Sequence, residues 1–302
     1  AGIITIISLT AYLLACITGV GILMQELTGL SYELCLFIAW ACFTAFTFYS
    51  GSKGVIITDT MMFMVFIVAA IIAGPYIFNA QGGLGSLLEN LMNNPAAAEG
   101  LLDYHGNIPG TGASDVFGAV MYAVTMGIIW FITVGVSPWQ AGRNLMAKNE
   151  HVIFRAGAVA AVCTTVFLLY VNLMSISVIN LAPNLEDPQR VLIWAAFNVM
   201  PKLVGTLLLA GIMAAGLSSA STFLSVVGFS VTSDIFPVAF KDEKHQLHTS
   251  RVIMLAVGIV SLILAYLGLG GVRVISWFAS TSIAASWLVP GVGRILSGKR
   301  SA

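Results

Sequence analysis

The sequence predicts an all-α polytopic membrane protein with about eight transmembrane helices, and three observations carry that prediction. Charged residues make up 9% of the 302 and hydrophobic ones 58%, where soluble domains carry about 25% charge. Mean hydropathy is +0.95, which leaves too little polar surface to cover a globule, so lipid must solvate most of the chain. Apolar runs of roughly 20 residues, the length that a hydrocarbon core of about 30 Å requires, recur from end to end.

The first run, 3–24, starts at once, with neither a basic n-region nor the cleavage site of a secretory signal. The second and third are 32–49 and 55–79, with Lys53 between them. The connection 80–114 reads as an extracellular or periplasmic loop, with Gly82-Gly83, Asn93-Asn94-Pro95 and Pro109-Gly110 and an apolar patch at Leu84–Met92 that suits a small interfacial helix. The fourth and fifth spans are 115–137 and 152–181. Segment 186–200, with Val191, Trp194, Phe197 and Asn198 at helical spacing, suits an amphipathic helix on the membrane surface. Spans at 203–236, 251–270 and 274–296 complete a single transmembrane domain over 1–302.

Basic residues orient it. With Ala1 on the cytoplasmic side, the inner connections hold Lys53, Arg143, Lys148, Arg155, Lys241, Lys244, Arg251, Arg294, Lys299 and Arg300. The outer ones hold Arg190, Lys202 and Arg273. Ten against three is a positive-inside bias, and it puts both ends of this piece in the cytoplasm of a cell whose cytoplasmic membrane the chain crosses.

Several function classes fall away. A net charge of zero and the lack of a basic stripe exclude nucleic acid as a partner. Cys16, Cys35, Cys42 and Cys163 sit in apolar runs as small hydrophobes, without metal-ligand spacing. There is no HExxH, no phosphate loop and no nucleophile with an intramembrane His, so the chain does not read as an enzyme. The lipid bilayer is the expected partner, and no obligate protein partner is inferred.

Polar and helix-breaking positions inside spans are then the candidates, because they are costly in hydrocarbon. In the sixth span Ala215, Ser218, Ser219 and Thr222 stand at i, i+3, i+4 and i+7, on one face. The Ala215 carbonyl and the two serine hydroxyls make a neutral oxygen cluster of the kind that takes sodium in place of water. Close helix packing, with serines bonded back to their own helix, explains the same pattern. In the fourth span Gly135 and Pro138 allow either a functional break or a plain kink; with a break, Trp130, Thr133, Ser137 and Pro138 line a candidate substrate cavity. Thr58 or Asp59, at the inner end of the third span, reads as a helix N-cap, and an ion-exit role for the Asp59 carboxylate is compatible with it. Tyr170 and Asn172 read as helix-contact residues.

These motifs together resemble the sodium/solute symporter family. The resemblance rests on Gly54-Val55-Ile56-Ile57-Thr58-Asp59-Thr60 opening a helix that ends near Gly82-Gly83, on Arg143-Asn144-Leu145-Met146-Ala147-Lys148, and on Ala215-Gly216-Leu217-Ser218-Ser219 followed by Ser233-Asp234-Ile235-Phe236. It implies a LeuT-like core, a five-plus-five inverted repeat, of which the spans here are core helices three to ten. Core helices one and two are expected to lie outside this piece. It implies a sodium (Na+) site at the Ala215 carbonyl and the Ser218 and Ser219 hydroxyls, whose remaining ligands come from core helix one. It also makes Asp59, with Thr222, a sodium exit or second sodium site. Sugar-carrying members have Asn and Tyr at the positions of Trp130 and Thr133 and Lys at Thr164, which disfavours a sugar here and adds Thr164 to the cavity candidates. The expected function is sodium-coupled import of a small organic solute by alternating access. The alternatives are a transporter-like unit that feeds a signalling domain and an uncoupled channel.

Overall fold

The computed structural model describes residues 2–94, 115–185, 187–235 and 243–297. Every regular element among them is helical. Eight stretches are long and apolar enough to cross a bilayer: Gly2–Thr28, Tyr32–Tyr49, Ile57–Ala80, Val116–Leu145, Glu150–Leu181, Lys202–Ser230, Lys244–Tyr266 and Val272–Pro290. The chain is a multi-pass membrane protein, as its composition requires.

Helix α1 covers Gly2–Thr28, and α2 runs unbroken from Tyr32 to Ala80. The sequence reading separates two spans there. The connecting residues Gly51-Ser52-Lys53-Gly54 stay helical because the two glycines cost only about 1 kcal/mol each relative to Ala and no proline blocks the turn. At 49 residues, α2 contains two stretches that are each long and apolar enough to cross a bilayer, Tyr32–Tyr49 and Ile57–Ala80. A short α3, Leu87–Met92, stands where the apolar patch predicts a small helix; the rest of that connection, 95–114, lies outside the described residues.

The fourth run divides into α4, Val116–Val136, and α5, Pro138–Leu145. Helix α6 spans Glu150–Leu181 and is capped by Asn149, whose side chain accepts from the Val152 amide at 2.9 Å. A 3-10 turn at Pro188–Arg190 leads into α7, Val191–Asn198, which covers most of the predicted surface helix; Glu186 is outside the described residues. Helix α8, Lys202–Ser230, continues into a π turn at Val231–Ile235. Helix α9, Glu243–Tyr266, begins eight residues before the predicted span, because a polar turn in water costs a helix nothing. Helix α10 is Val272–Ser297. Lys241, Lys299 and Arg300 of the inner basic set, and Phe236 of the last motif, fall outside the described residues.

The chain forms two compact units, one of 1–63, 129–147 and 213–302, the other of 64–128 and 148–212. In the first, α1 packs on α9 and α10, and Leu13, Ile17, Leu36 and Leu224 are almost fully buried in its core. Gly216 lets α8 approach α1, since a Cβ there would meet the Val20 side chain at 2.6 Å. The first half of α2 runs antiparallel to α9: Tyr266 Oη donates to the Glu33 carbonyl at 2.9 Å, and the Arg251 guanidinium lies 4.9 Å over the Phe48 ring at the opposite end.

In the second unit α2 and α6 meet through aromatic pairs, Phe66 with Phe167 at 4.8 Å and Phe78 with Tyr170 at 5.6 Å. Tyr170 fits over Gly74, where a side chain would collide with its hydroxyl. Tyr170 is thus the helix-contact residue its position suggests, whereas the Asn172 amide donates back to Leu168 of its own helix. Residues 151–169 of α6 are exposed on nearly every side.

Candidate functional site

The residues that converge lie in the first unit, on α2, α5 and α8. Asp59 is an interior residue of α2, so it caps no helix; the Thr58 hydroxyl bonds back to the Val55 carbonyl at 3.0 Å within the same helix. The N-cap reading fails because the helix starts 27 residues earlier, at Tyr32. The Asp59 carboxylate, its side chain 13% accessible, instead takes tertiary partners. Oδ1 accepts from the Ser218 hydroxyl at 2.7 Å. Oδ2 accepts from Arg143 Nη2 at 2.8 Å and from the Thr222 hydroxyl at 3.3 Å. Arg143 Nη2 also reaches Thr222 Oγ1 at 3.4 Å. One carboxylate and one guanidinium neutralise each other, and two hydroxyls four residues apart on α8 complete the cluster.

The small residues of α8 set this geometry. Ser218 and Thr222 share a face by helical spacing, and Ser221 turns away, its hydroxyl bonded to the Ser218 carbonyl at 3.0 Å. Ala215, Ser218 and Ser219 are half-buried while Thr222 is buried. Because α8 is continuous here, the Ala215 carbonyl keeps one lone pair beyond its helical bond. Ser218 commits its proton to Asp59, and its oxygen lone pairs remain available. Among the described residues no group of three or more His, Cys, Asp or Glu could hold a metal, so any cation here would be held by neutral oxygens beside one acid.

Arg143 owes its position to the break in the fourth run. Ser137 is extended, at φ −63° and ψ 135°, the conformation that a following proline imposes, and Pro138 starts α5 at its first turn. The break, rather than a kink, is therefore what Gly135 and Pro138 produce. On α5, Trp139 and Arg143 stand four residues apart on one face. Trp139 packs edge-on against Tyr12 at 5.7 Å and Phe223 at 5.5 Å, and these two stack at 5.0 Å. An aromatic anchor thus holds the helix that delivers the guanidinium.

The cavity candidates divide. Thr133 is fully buried and donates to the Ser280 carbonyl at 2.9 Å, while the Ser280 hydroxyl pairs with Tyr12 Oη at 2.6 Å. Ser137 is buried, with its hydroxyl on the Val134 carbonyl at 3.2 Å. Trp130 is 42% exposed. Thr164 lies on the exposed stretch of α6 in the second unit. Ser137 and Pro138 form the break, and Thr133 pins α4 to α10. Sequence reasoning missed Arg143 as the partner of Asp59 and counted it only as an inner charge and as part of a family motif; a lone basic residue five positions beyond a helix-breaking proline was the available signal. Tyr12 and Ser280 carried no signal beyond being polar in apolar runs.

The sodium:solute symporter family model matches residues 1–290, and the chain belongs to that family. It is 24% identical to a sodium/pantothenate symporter of Haemophilus influenzae, over 88% of this chain and 54% of that protein. It is 23% identical to the sodium/proline symporter of Escherichia coli K12, over 88% and 52%. The chain spans about half the length of the curated relatives it matches. Among solved structures, a sodium-coupled sialic acid symporter in a substrate-bound outward-open state, described as revealing a novel Na+ site, aligns with TM-score 0.73. That match has 15% identity and covers 95% of this chain and 63% of that one. The fold is accordingly LeuT-like, and the family is one of transporters, not enzymes.

Proposed function

We propose that this chain, as a member of the sodium:solute symporter family, forms the core of a sodium-coupled secondary transporter that imports a small organic solute by alternating access. It sits in the cytoplasmic membrane with both ends of the piece on the cytoplasmic side, as the distribution of Lys and Arg favours. Sodium is held by the Ala215 carbonyl and the Ser218 and Ser219 hydroxyls, and it leaves past, or shares a second site with, Asp59 and Thr222.

The observation that carries this reading is the 2.7 Å bond from the Ser218 hydroxyl to Asp59. A hydroxyl whose proton is fixed on a carboxylate presents only lone pairs to its other neighbours, which is the state a cation ligand needs. Sodium on that oxygen polarises the O–H and strengthens the bond to Asp59, so filling the first position organises the second. Arg143 is a tethered cation on the same carboxylate, and it offsets the negative charge when sodium is away.

The solutes named for the relatives, proline, pantothenate and sialic acid, are all carboxylic acids, which favours a small organic acid or amino acid as cargo. Sodium that stabilises the outward-open state raises solute affinity, and the coupling is reciprocal. The test is uptake by the full-length protein carrying Ser218→Ala with Ser219→Ala. Two lost oxygen ligands raise the sodium concentration for half-maximal uptake by at least about tenfold, equivalent to 1.4 kcal/mol. Unchanged sodium dependence would overturn the assignment.

A further inference from the structure

We infer that Tyr12 of α1 and Ser280 of α10 are positioning residues for the sodium response, setting through α5 how firmly Arg143 holds Asp59. The inference rests on the sodium reading of the Asp59 cluster and names the residues that tune it.

Ser280 is a buried junction of two bonds, one on each side of the break in the fourth run. Its carbonyl accepts from Thr133 Oγ1 at 2.9 Å, on α4, one turn before Ser137. Its hydroxyl meets Tyr12 Oη at 2.6 Å. The direction of this second bond follows from the protons available. Ser280 Oγ has one proton and gives it to the Ser276 carbonyl at 2.7 Å, which can only accept. The Tyr12 phenol is therefore the donor and Ser280 the acceptor.

The Tyr12 ring carries the restraint across the break. It stacks on Phe223 of α8 at 5.0 Å and takes Trp139 of α5 edge-on at 5.7 Å. Phe223 follows Thr222 in the chain, and Trp139 lies one turn before Arg143 on the same face of α5. Thr222 and Arg143 are the two side chains that bond Asp59 Oδ2. Both are carried by helices that close on this one phenol. Because Ser137 is extended, a continuous helix does not fix α5 against α4, and the series Thr133, Ser280, Tyr12, Trp139 supplies that restraint. The ion pair at 2.8 Å is short enough that a tilt of α5 breaks it, and the half-exposed guanidinium then turns to water.

The test follows the thermal midpoint of the full-length protein against sodium chloride, with choline chloride holding ionic strength constant. Tyr12→Phe keeps the ring and its aromatic contacts and removes the bond to Ser280. A slack α5 lets Arg143 leave Asp59, so half-effective sodium falls about threefold, the part of one hydrogen bond that reaches the cluster. Ser280→Ala removes the acceptor instead and gives the same fall, so either variant serves where the other fails to fold. In an Arg143→Gln background, where the competing cation is already gone, Tyr12→Phe lowers half-effective sodium no further. A bond that is only structural would lower the midpoint equally at every sodium concentration. That result, a rise in half-effective sodium, or an equal fall in the Arg143→Gln background would each overturn the inference while leaving the sodium reading intact. A midpoint in the unsubstituted protein that ignores sodium would overturn both.

Discussion

Asp59→Asn isolates the charge of the cluster from its shape. Asparagine keeps an Oδ1 that accepts the Ser218 bond of 2.7 Å, so α8 stays in register with α2. It replaces Oδ2 by an amide donor that faces Arg143 Nη2, formerly at 2.8 Å, and the guanidinium, whose side chain is 40% accessible, turns to water. A carboxylate about 4 Å from a sodium ion is worth about 4 kcal/mol at an effective dielectric of 20. Arg143 already offsets part of this, and its exposure screens the offset. The net loss is about 1.5–3 kcal/mol, or roughly a ten- to hundredfold weaker response to sodium. The assay is the thermal midpoint of the full-length protein against sodium chloride, with choline chloride holding ionic strength constant. If Asp59→Asn keeps the same half-effective sodium concentration as the unsubstituted protein, Asp59 is a structural acid and the ion route lies elsewhere.

Arg143→Gln acts in the opposite direction: without a tethered cation on Asp59 Oδ2, half-effective sodium falls several-fold, measured by the same thermal titration, and a rise would contradict the competition. Thr133→Val removes the bond to the Ser280 carbonyl from a fully buried site while conserving shape, so the thermal midpoint drops by the equivalent of about 1 kcal/mol. Solute KM stays the same if Thr133 serves as a pin and rises if it faces the cargo.

The spans were legible because runs of roughly 20 apolar residues have no other stable solvent, and each helix lies within a few residues of its run wherever hydrophobicity ends it. The polar start of α9 was missed for that reason: hydropathy marks where the bilayer ends, not where the helix does. The join in α2 was missed because Gly and Ser weaken a helix without forbidding one. At the site, helical spacing placed Ser218 and Thr222 on one face, and Asp59 stood out as an acid at the inner end of its span. The pairing of Asp59 with Arg143 was beyond spacing, since the two are 84 positions apart and α5 is held by packing of Trp139 against Tyr12 of α1 and Phe223 of α8. Thr133 shows the same limit: a lone hydroxyl near a break reads as a cavity residue, and only the fold shows that it donates to a carbonyl on a distant helix.

The Asp59–Arg143 pair also has an electrical consequence. With both groups ionised the cluster carries no net charge, and a sodium ion that enters it makes the whole assembly positive by one unit. A membrane potential acts on that unit with about 2.3 kcal/mol per 100 mV for a full crossing. On the proposed sodium route, an inside-negative potential drives the loaded form inward. On the same proposal the empty form, its acid balanced by its own arginine, returns without electrical work.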